Sequence, residues 1–106
     1  MKVQLLTFPG CPNAAAARAL LQRVMSSSGI DADIVEVNTG APETPEGLRG
    51  WGSPTILVDG ADVGGQKAPE NPSCRLYRDE EGRLRGTPPE GLLRAALNLA
   101  ARGGRA

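Results

Sequence analysis

The sequence predicts a small α/β domain: a mixed sheet assembled as β-α-β and then β-β-α, with helices flanking it. Three observations carry that expectation. The apolar run at residues 3–8 (VQLLTF) stops at Pro9-Gly10, the pattern of a strand buried on both faces. Two alanine- and leucine-rich segments, 14–28 and 90–100, place apolar side chains at helical spacing. Between them, Thr55 to Val58 (TILV) runs into Asp59-Gly60, the signal of a strand entering a tight hairpin.

Taken in order, Val3 to Phe8 is the first strand. After Cys11-Pro12, residues Ala17, Leu20, Leu21 and Val24 form one stripe, while Arg18, Gln22 and Arg23 fall elsewhere on the wheel. Pro12 is expected in the first helical turn, and Ser26-Ser27-Ser28-Gly29 closes the helix. Asp33 to Asn38 is a second strand, with Ile34 on one face and Val35 and Val37 on the other. The βαβ unit is then parallel and right-handed. Residues 39–50 contain Pro42 and Pro45 and predict a loop with one helical turn over Glu46 to Arg49. Thr55 to Val58 is the third strand and Ala61 to Val63 its return. Residues 64–73 are rich in Gly, Pro and polar side chains and predict a loop. Arg75 to Arg78 and Arg83 to Arg85 flank Asp79-Glu80-Glu81-Gly82 as a second hairpin. Thr87-Pro88-Pro89-Glu90 has the pattern of a capping box with proline in the first turn. It opens a last helix with the stripe Leu92, Leu93, Ala96, Leu97 and Ala100. Residues 1–102 form a single domain, 66–86 an insertion before the last helix, and 103–106 a frayed tail.

Composition narrows the chemistry. A chain of 106 residues has room for one core. Twelve basic residues balance twelve acidic ones, so no general electrostatic grip on nucleic acid or anionic membrane is expected. No apolar run approaches a membrane span, and the start MKVQLLTFPG is unlike a signal peptide, so the expected compartment is cytoplasmic. The absence of histidine removes Ser-His-Asp and Cys-His nucleophile pairs and imidazole metal sites. Two cysteines cannot supply a four-thiolate zinc or iron–sulfur site from one chain. No metal is expected.

What chemistry remains gathers at Phe8-Pro9-Gly10-Cys11-Pro12-Asn13. This run places a cysteine between a strand's C-terminal end and the start of a helix. Unpaired N–H groups and the partial positive charge there favour a thiolate over a thiol. Cys11 therefore reads as a nucleophile; the plain alternative is a small apolar residue sealing the helix end. Trp51-Gly52-Ser53-Pro54-Thr55 puts a proline at a strand entrance, where an X-Pro bond can be cis. Trp51 reads either as a substrate platform or as core. Gly64-Gly65 is either an ordinary turn or a place where backbone approaches a ligand closely. Arg75 and Arg78 read either as groups steering an acidic substrate or supporting the thiolate, or as surface charges of an exposed hairpin. Tyr77 reads as packing before proton donor.

Together, Phe-x-x-Cys-Pro at a strand–helix junction, Pro54 before a βDGβ hairpin and Gly64-Gly65 resemble the thioredoxin fold, and within it the glutaredoxins. The stretch 54–65 (PTILVDGADVGG) matches the glutaredoxin spacing of proline, apolar strand, Gly60, Val63 and Gly64-Gly65. The likeness covers residues 1–65 and resumes at the last helix. It implies a cis Pro54 lying against Cys11, with Ser53, Pro54 and Thr55 holding the substrate; Pro12, Trp51, Gly64 and Gly65 are further candidate substrate-binding residues. It also implies a thiol–disulfide oxidoreductase or redox carrier. Its expected partner is a disulfide-bearing protein or small thiol, with glutathione as candidate co-substrate and no other cofactor. A monomer or weak dimer is expected, with no nucleic-acid or membrane partner. The chain also departs from the pattern. Ala14 replaces the second cysteine of Cys-x-x-Cys, the first strand lacks a buried acid, and Gln66-Lys67 replaces the acidic pair after Gly-Gly. The insertion carries Ser73-Cys74-Arg75-Leu76-Tyr77, which with Phe-x-Gly-Cys-Pro and Gly-Ser-Pro-Thr also resembles the "DF family" of thioredoxin-like proteins bearing Cys or selenocysteine.

Cys74 is read two ways: as a thiol that resolves Cys11, the insertion folding back over the Cys11 end, or as a buried strand residue. The rivals to redox chemistry are soft-metal or organomercurial binding by two thiolates, a cluster-bridging dimer, and a domain that kept its fold and lost its chemistry.

Overall fold

In a computed structural model, residues 1–69 and 74–102 are described. The element order is β1 (Val3–Thr7), α1 (Ala14–Ser27), β2 (Ile34–Asn38), α2 (Glu46–Arg49), β3 (Thr55–Val58), β4 (Ala61–Asp62), β5 (Tyr77–Arg78), β6 (Leu84–Arg85) and α3 (Glu90–Ala101). The expected tail, 103–106, lies outside the described residues.

Four strands form one mixed sheet in the order β2-β1-β3-β4. β1 pairs parallel with β2 and antiparallel with β3, and β3 pairs antiparallel with β4. β1 is thus an inner strand, which is why its sequence is a continuous apolar run rather than an alternation. Val3 and Leu5 join Ile56 and Val58 of β3 on one face, against Ala17, Leu21 and Val24 of α1 and Leu93 and Leu97 of α3. The opposite face holds a smaller cluster of Leu6, Leu57 and Trp51, with Val37 and Leu48 packed against it. Each fully buried aliphatic side chain contributes about 1.5–3 kcal/mol relative to its exposed state. The β3–β4 turn has Asp59 at φ 51° and Gly60 at φ 84°, the two left-handed residues that a tight type I′ hairpin requires.

Three expectations change. α1 begins at Ala14 with Asn13 as its flanking residue and no side-chain cap, so Pro12 precedes the helix instead of lying in its first turn. α3 begins at Glu90, and Pro89 occupies the capping position in extended conformation, with no side-chain cap bond. The capping box centred on Thr87 does not form. A residue that precedes a proline is pushed out of the helical region, and both Thr87 and Pro88 do so. Finally, Leu92 is 44% exposed, and the inner stripe of α3 consists of Leu93 and Leu97 with Ala96 and Ala100 beside them.

The segment between β4 and α3 carries its own two-stranded sheet, β5–β6, separate from the main one. Tyr77 pairs with Arg85 and Arg78 with Leu84. Asp79 pins the hairpin tip by accepting N–H bonds from Glu81 and Arg83 and a bond from Arg85 Nε, each at 2.9 Å.

Candidate functional site

The chain leaves β1 through a tight turn. Cys11 N–H donates to Phe8 O at 3.3 Å, with Pro9 and Gly10 at the two central positions. Gly10 has φ 84°, the left-handed geometry that a turn with proline first and glycine second requires. Ala14 N–H then donates to Cys11 O at 3.4 Å. Cys11 is therefore the joint between two consecutive turns, half-buried and unbridged. It lies three residues before α1, whose uncapped N-terminus follows.

Ser53-Pro54 lies beside this turn, and the peptide between them is cis. Ser53 Oγ accepts a hydrogen bond from Phe8 N–H at 3.3 Å. Ser53, Pro54 and Thr55 are fully buried. The Ser53 carbonyl accepts Arg75 N–H at 2.8 Å, and Ser53 forms a parallel β-bridge with Cys74. The main-chain position that the thioredoxin-like resemblance assigns to a substrate is filled by this chain's own insertion. Cys74 is exposed and unbridged, so it is not the buried strand residue of its plainer reading. At the insertion's last residue, Gly86 abuts the side chain of Asn13, which lies where a β-carbon on Gly86 would go. Its Cys74–Arg75 stretch thus meets Ser53, and its last residue meets Asn13, two positions after Cys11.

Behind Cys74 lies a polar cluster. Arg75 Nη1 and Nη2 contact the two oxygens of Asp62 at 2.8 and 2.6 Å, with side-chain exposures of 9% and 0%. Arg75 Nη1 also donates to Thr55 Oγ1 at 3.1 Å, and Thr55 Oγ1 donates to Gly52 O at 2.6 Å. The guanidinium carbon lies 4.6 Å from the Tyr77 ring centroid and 6.0 Å from that of Trp51, distances at which a cation is attracted to an aromatic face. Tyr77 OH donates to Pro54 O at 2.6 Å. Burial pushes the Tyr77 phenol well above its ordinary pKa, and the adjacent Arg75 charge opposes that only in part.

These placements revise several site expectations. Trp51 is 5% exposed; it lines the smaller core and faces Arg75, so it offers no platform to a ligand. Arg75 is an inward-facing ion-pair partner rather than a surface charge. At Gly64 a β-carbon would come within 2.5 Å of Arg75 Nη2 and 3.1 Å of Asp62 Oδ2, so the group that approaches this backbone is the chain's own guanidinium. Gly65 N–H donates to Asp62 O, and Gln66 N–H donates to Asp62 Oδ2. Asp62 was not singled out from sequence. Its signal was a carboxylate at the second position of a two-residue strand whose partner strand is apolar, where burial demands a cation.

A polar cleft of about 590 Å³ lies between α1, the β5–β6 hairpin and the start of α3, with Arg23, Asp79 and Arg85 in its lining and neither cysteine. No group of three or more His, Cys, Asp or Glu side chains able to hold a metal ion occurs among the described residues. No helix among them is long and apolar enough to cross a membrane. The chain matches no family model, no curated protein and no solved structure.

Proposed function

We propose that this chain is a thiol–disulfide oxidoreductase or redox carrier with a thioredoxin-like, glutaredoxin-related architecture, in which Cys11 is the nucleophile and Cys74 the resolving thiol. The observation that carries this reading is that both cysteine-bearing segments hang on one residue. Ser53 Oγ holds Phe8 N–H at the base of the Cys11 turn, and Ser53 O holds Arg75 N–H next to Cys74. The strand order β2-β1-β3-β4, with β1 and β2 parallel, supports the architectural part.

In this chemistry the Cys11 thiolate attacks one sulfur of a partner disulfide. A Cys11–partner disulfide forms, and the other partner sulfur leaves as a thiolate that takes a proton from water. Cys74, after losing its proton, attacks the Cys11 sulfur. The second partner thiolate leaves, and the chain now holds a Cys11–Cys74 disulfide. The partner has gained two electrons and this chain has lost two. An external thiol such as glutathione returns them by the same exchange.

The test is alkylation and mass spectrometry on wild type, Cys11→Ser and Cys74→Ser. At pH 7, Cys11 is expected to react with iodoacetamide at least tenfold faster than Cys74. Mild oxidation of wild type should yield the internal Cys11–Cys74 bridge. Cys11 reacting no faster than a free thiol would overturn the nucleophile. Tight binding of a two-coordinate soft cation, with no disulfide turnover, would point to a thiolate-binding protein instead.

A further inference from the structure

The two cysteines are far apart in sequence, and the thiol of the second is exposed. A thiol on a loose excursion reaches its target at an effective concentration of about millimolar, whereas a held and oriented group does far better. What holds Cys74 is therefore a functional question, and the residue next to it carries the answer. Arg75 is fixed by its N–H on Ser53 O, its two terminal nitrogens on Asp62, Nη1 also on Thr55 Oγ1, and its guanidinium plane against Tyr77. Asp62 is in turn held by Gln66 N–H at 2.9 Å. The absence of a side chain at Gly64 leaves the room the guanidinium occupies. Ser53, which accepts the Arg75 N–H, is also the residue that bridges to Cys74. These contacts fix the residue that follows Cys74 to strands β3 and β4, and so to the same frame that bears the Cys11 turn.

We propose that the Asp62–Arg75 ion pair is the positioning device for the resolving step: it holds Cys74 at the Ser53 main chain and thereby sets the rate at which a Cys11 mixed disulfide closes to the internal disulfide. The inference rests on the redox reading above and adds the element that makes the resolving cysteine competent. Arg75 and Asp62 take no part in bond making; they act through the placement of Cys74.

The experiment uses the full chain with oxidised glutathione as the disulfide. The lifetime of the Cys11–glutathione adduct and the appearance of the Cys11–Cys74 bridge are followed by acid-quenched mass spectrometry. Two variants are compared with wild type: Arg75→Lys, which keeps the charge but loses the two-pronged contact, and the double variant Asp62→Asn with Arg75→Met, which removes both charges together. Closure is expected to slow at least tenfold in both. Alkylation of Cys11 in a Cys74→Ser background should change by less than twofold on adding either change. Ile56→Val, a core substitution that leaves both side chains of the pair unaltered, should leave closure within twofold of wild type, a control that separates positioning from general loss of stability. Closure within twofold of wild type in both latch variants would overturn the proposal. So would slowing of the same size in Ile56→Val, or a wild type in which Cys11 takes up glutathione but never closes onto Cys74. That last outcome leaves Cys11 as a nucleophile, whereas a Cys11 that reacts no faster than a free thiol removes the redox reading itself.

Discussion

The four-stranded sheet with α1 and α3 and the excursion from β4 to α3 are held by different forces. The first is hydrocarbon: Leu5, Leu21, Ile56, Leu93 and Leu97 have no exposed surface. In the excursion, Tyr77 is buried, while Leu76 and Leu84 are 57% and 55% exposed. Between Val63 and Pro88, which join the buried interior, its described attachments include polar and directional ones: Arg75 to Asp62, Tyr77 OH to Pro54 O, and Arg75 N–H to Ser53 O. Apolar contact is tolerant of small shifts, whereas a two-pronged ion pair fixes position and orientation together. The architecture is therefore carried by one region and the placement of the second thiol by the other.

That contrast can be broken most forcefully at Arg75. Arg75→Ala leaves a fully buried carboxylate without its cation, a loss of about 3–5 kcal/mol. Hydrogen exchange should show protection lost first at the Arg75 and Asp79 amides and least at Leu5 and Ile56. Uniform loss across all amides would mean that sheet and excursion unfold as one unit, and the division would fail. Leu97→Ala tests the other side. It should cost about 2–5 kcal/mol in urea denaturation, with protection falling in the sheet as much as in the excursion. A loss restricted to the excursion would contradict the assignment of forces.

The smallest effect sharpens the comparison through pH. Tyr77→Phe removes the bond to Pro54 O and should cost about 1 kcal/mol near neutrality. In wild type the buried phenol holds its proton to higher pH than it does in the unfolded chain. As pH rises above about 10, the ordinary tyrosine value, the unfolded chain gives up that proton first. The stability Tyr77 contributes is thus complete below that pH and declines above it. The wild-type advantage over Tyr77→Phe, read from urea midpoints between pH 8 and 11, should narrow at the alkaline end. A constant gap would show that the phenol is not sealed.

Much of the architecture was legible because its determinants are local. The Pro9-Gly10 stop, the stripe from Ala17 to Val24, the helical turn at Glu46 to Arg49 and the Asp59-Gly60 hairpin each announce themselves within a few residues. The helix starts were misjudged at both Pro12 and Thr87-Pro88-Pro89. Proline's restriction of the residue before it outweighed the capping pattern at α3. The sequence singles out Cys11 and Ser53-Pro54-Thr55, which the fold brings side by side, but not the polar cluster beside them. Asp62 and Arg75 are thirteen positions apart and share no periodic pattern, so their pairing is a product of folding. Trp51 was ambiguous for the same reason: an indole beside a turn reads equally as platform or core until the cation above it is known.

The indole of Trp51 is the chain's single tryptophan, and the Arg75 guanidinium lies across it. Undocking of the excursion would change the charge and the solvent next to that ring while the sheet stayed intact. The protein therefore contains a built-in optical reporter: its ultraviolet emission should track, in real time and without a label, whether the excursion is seated.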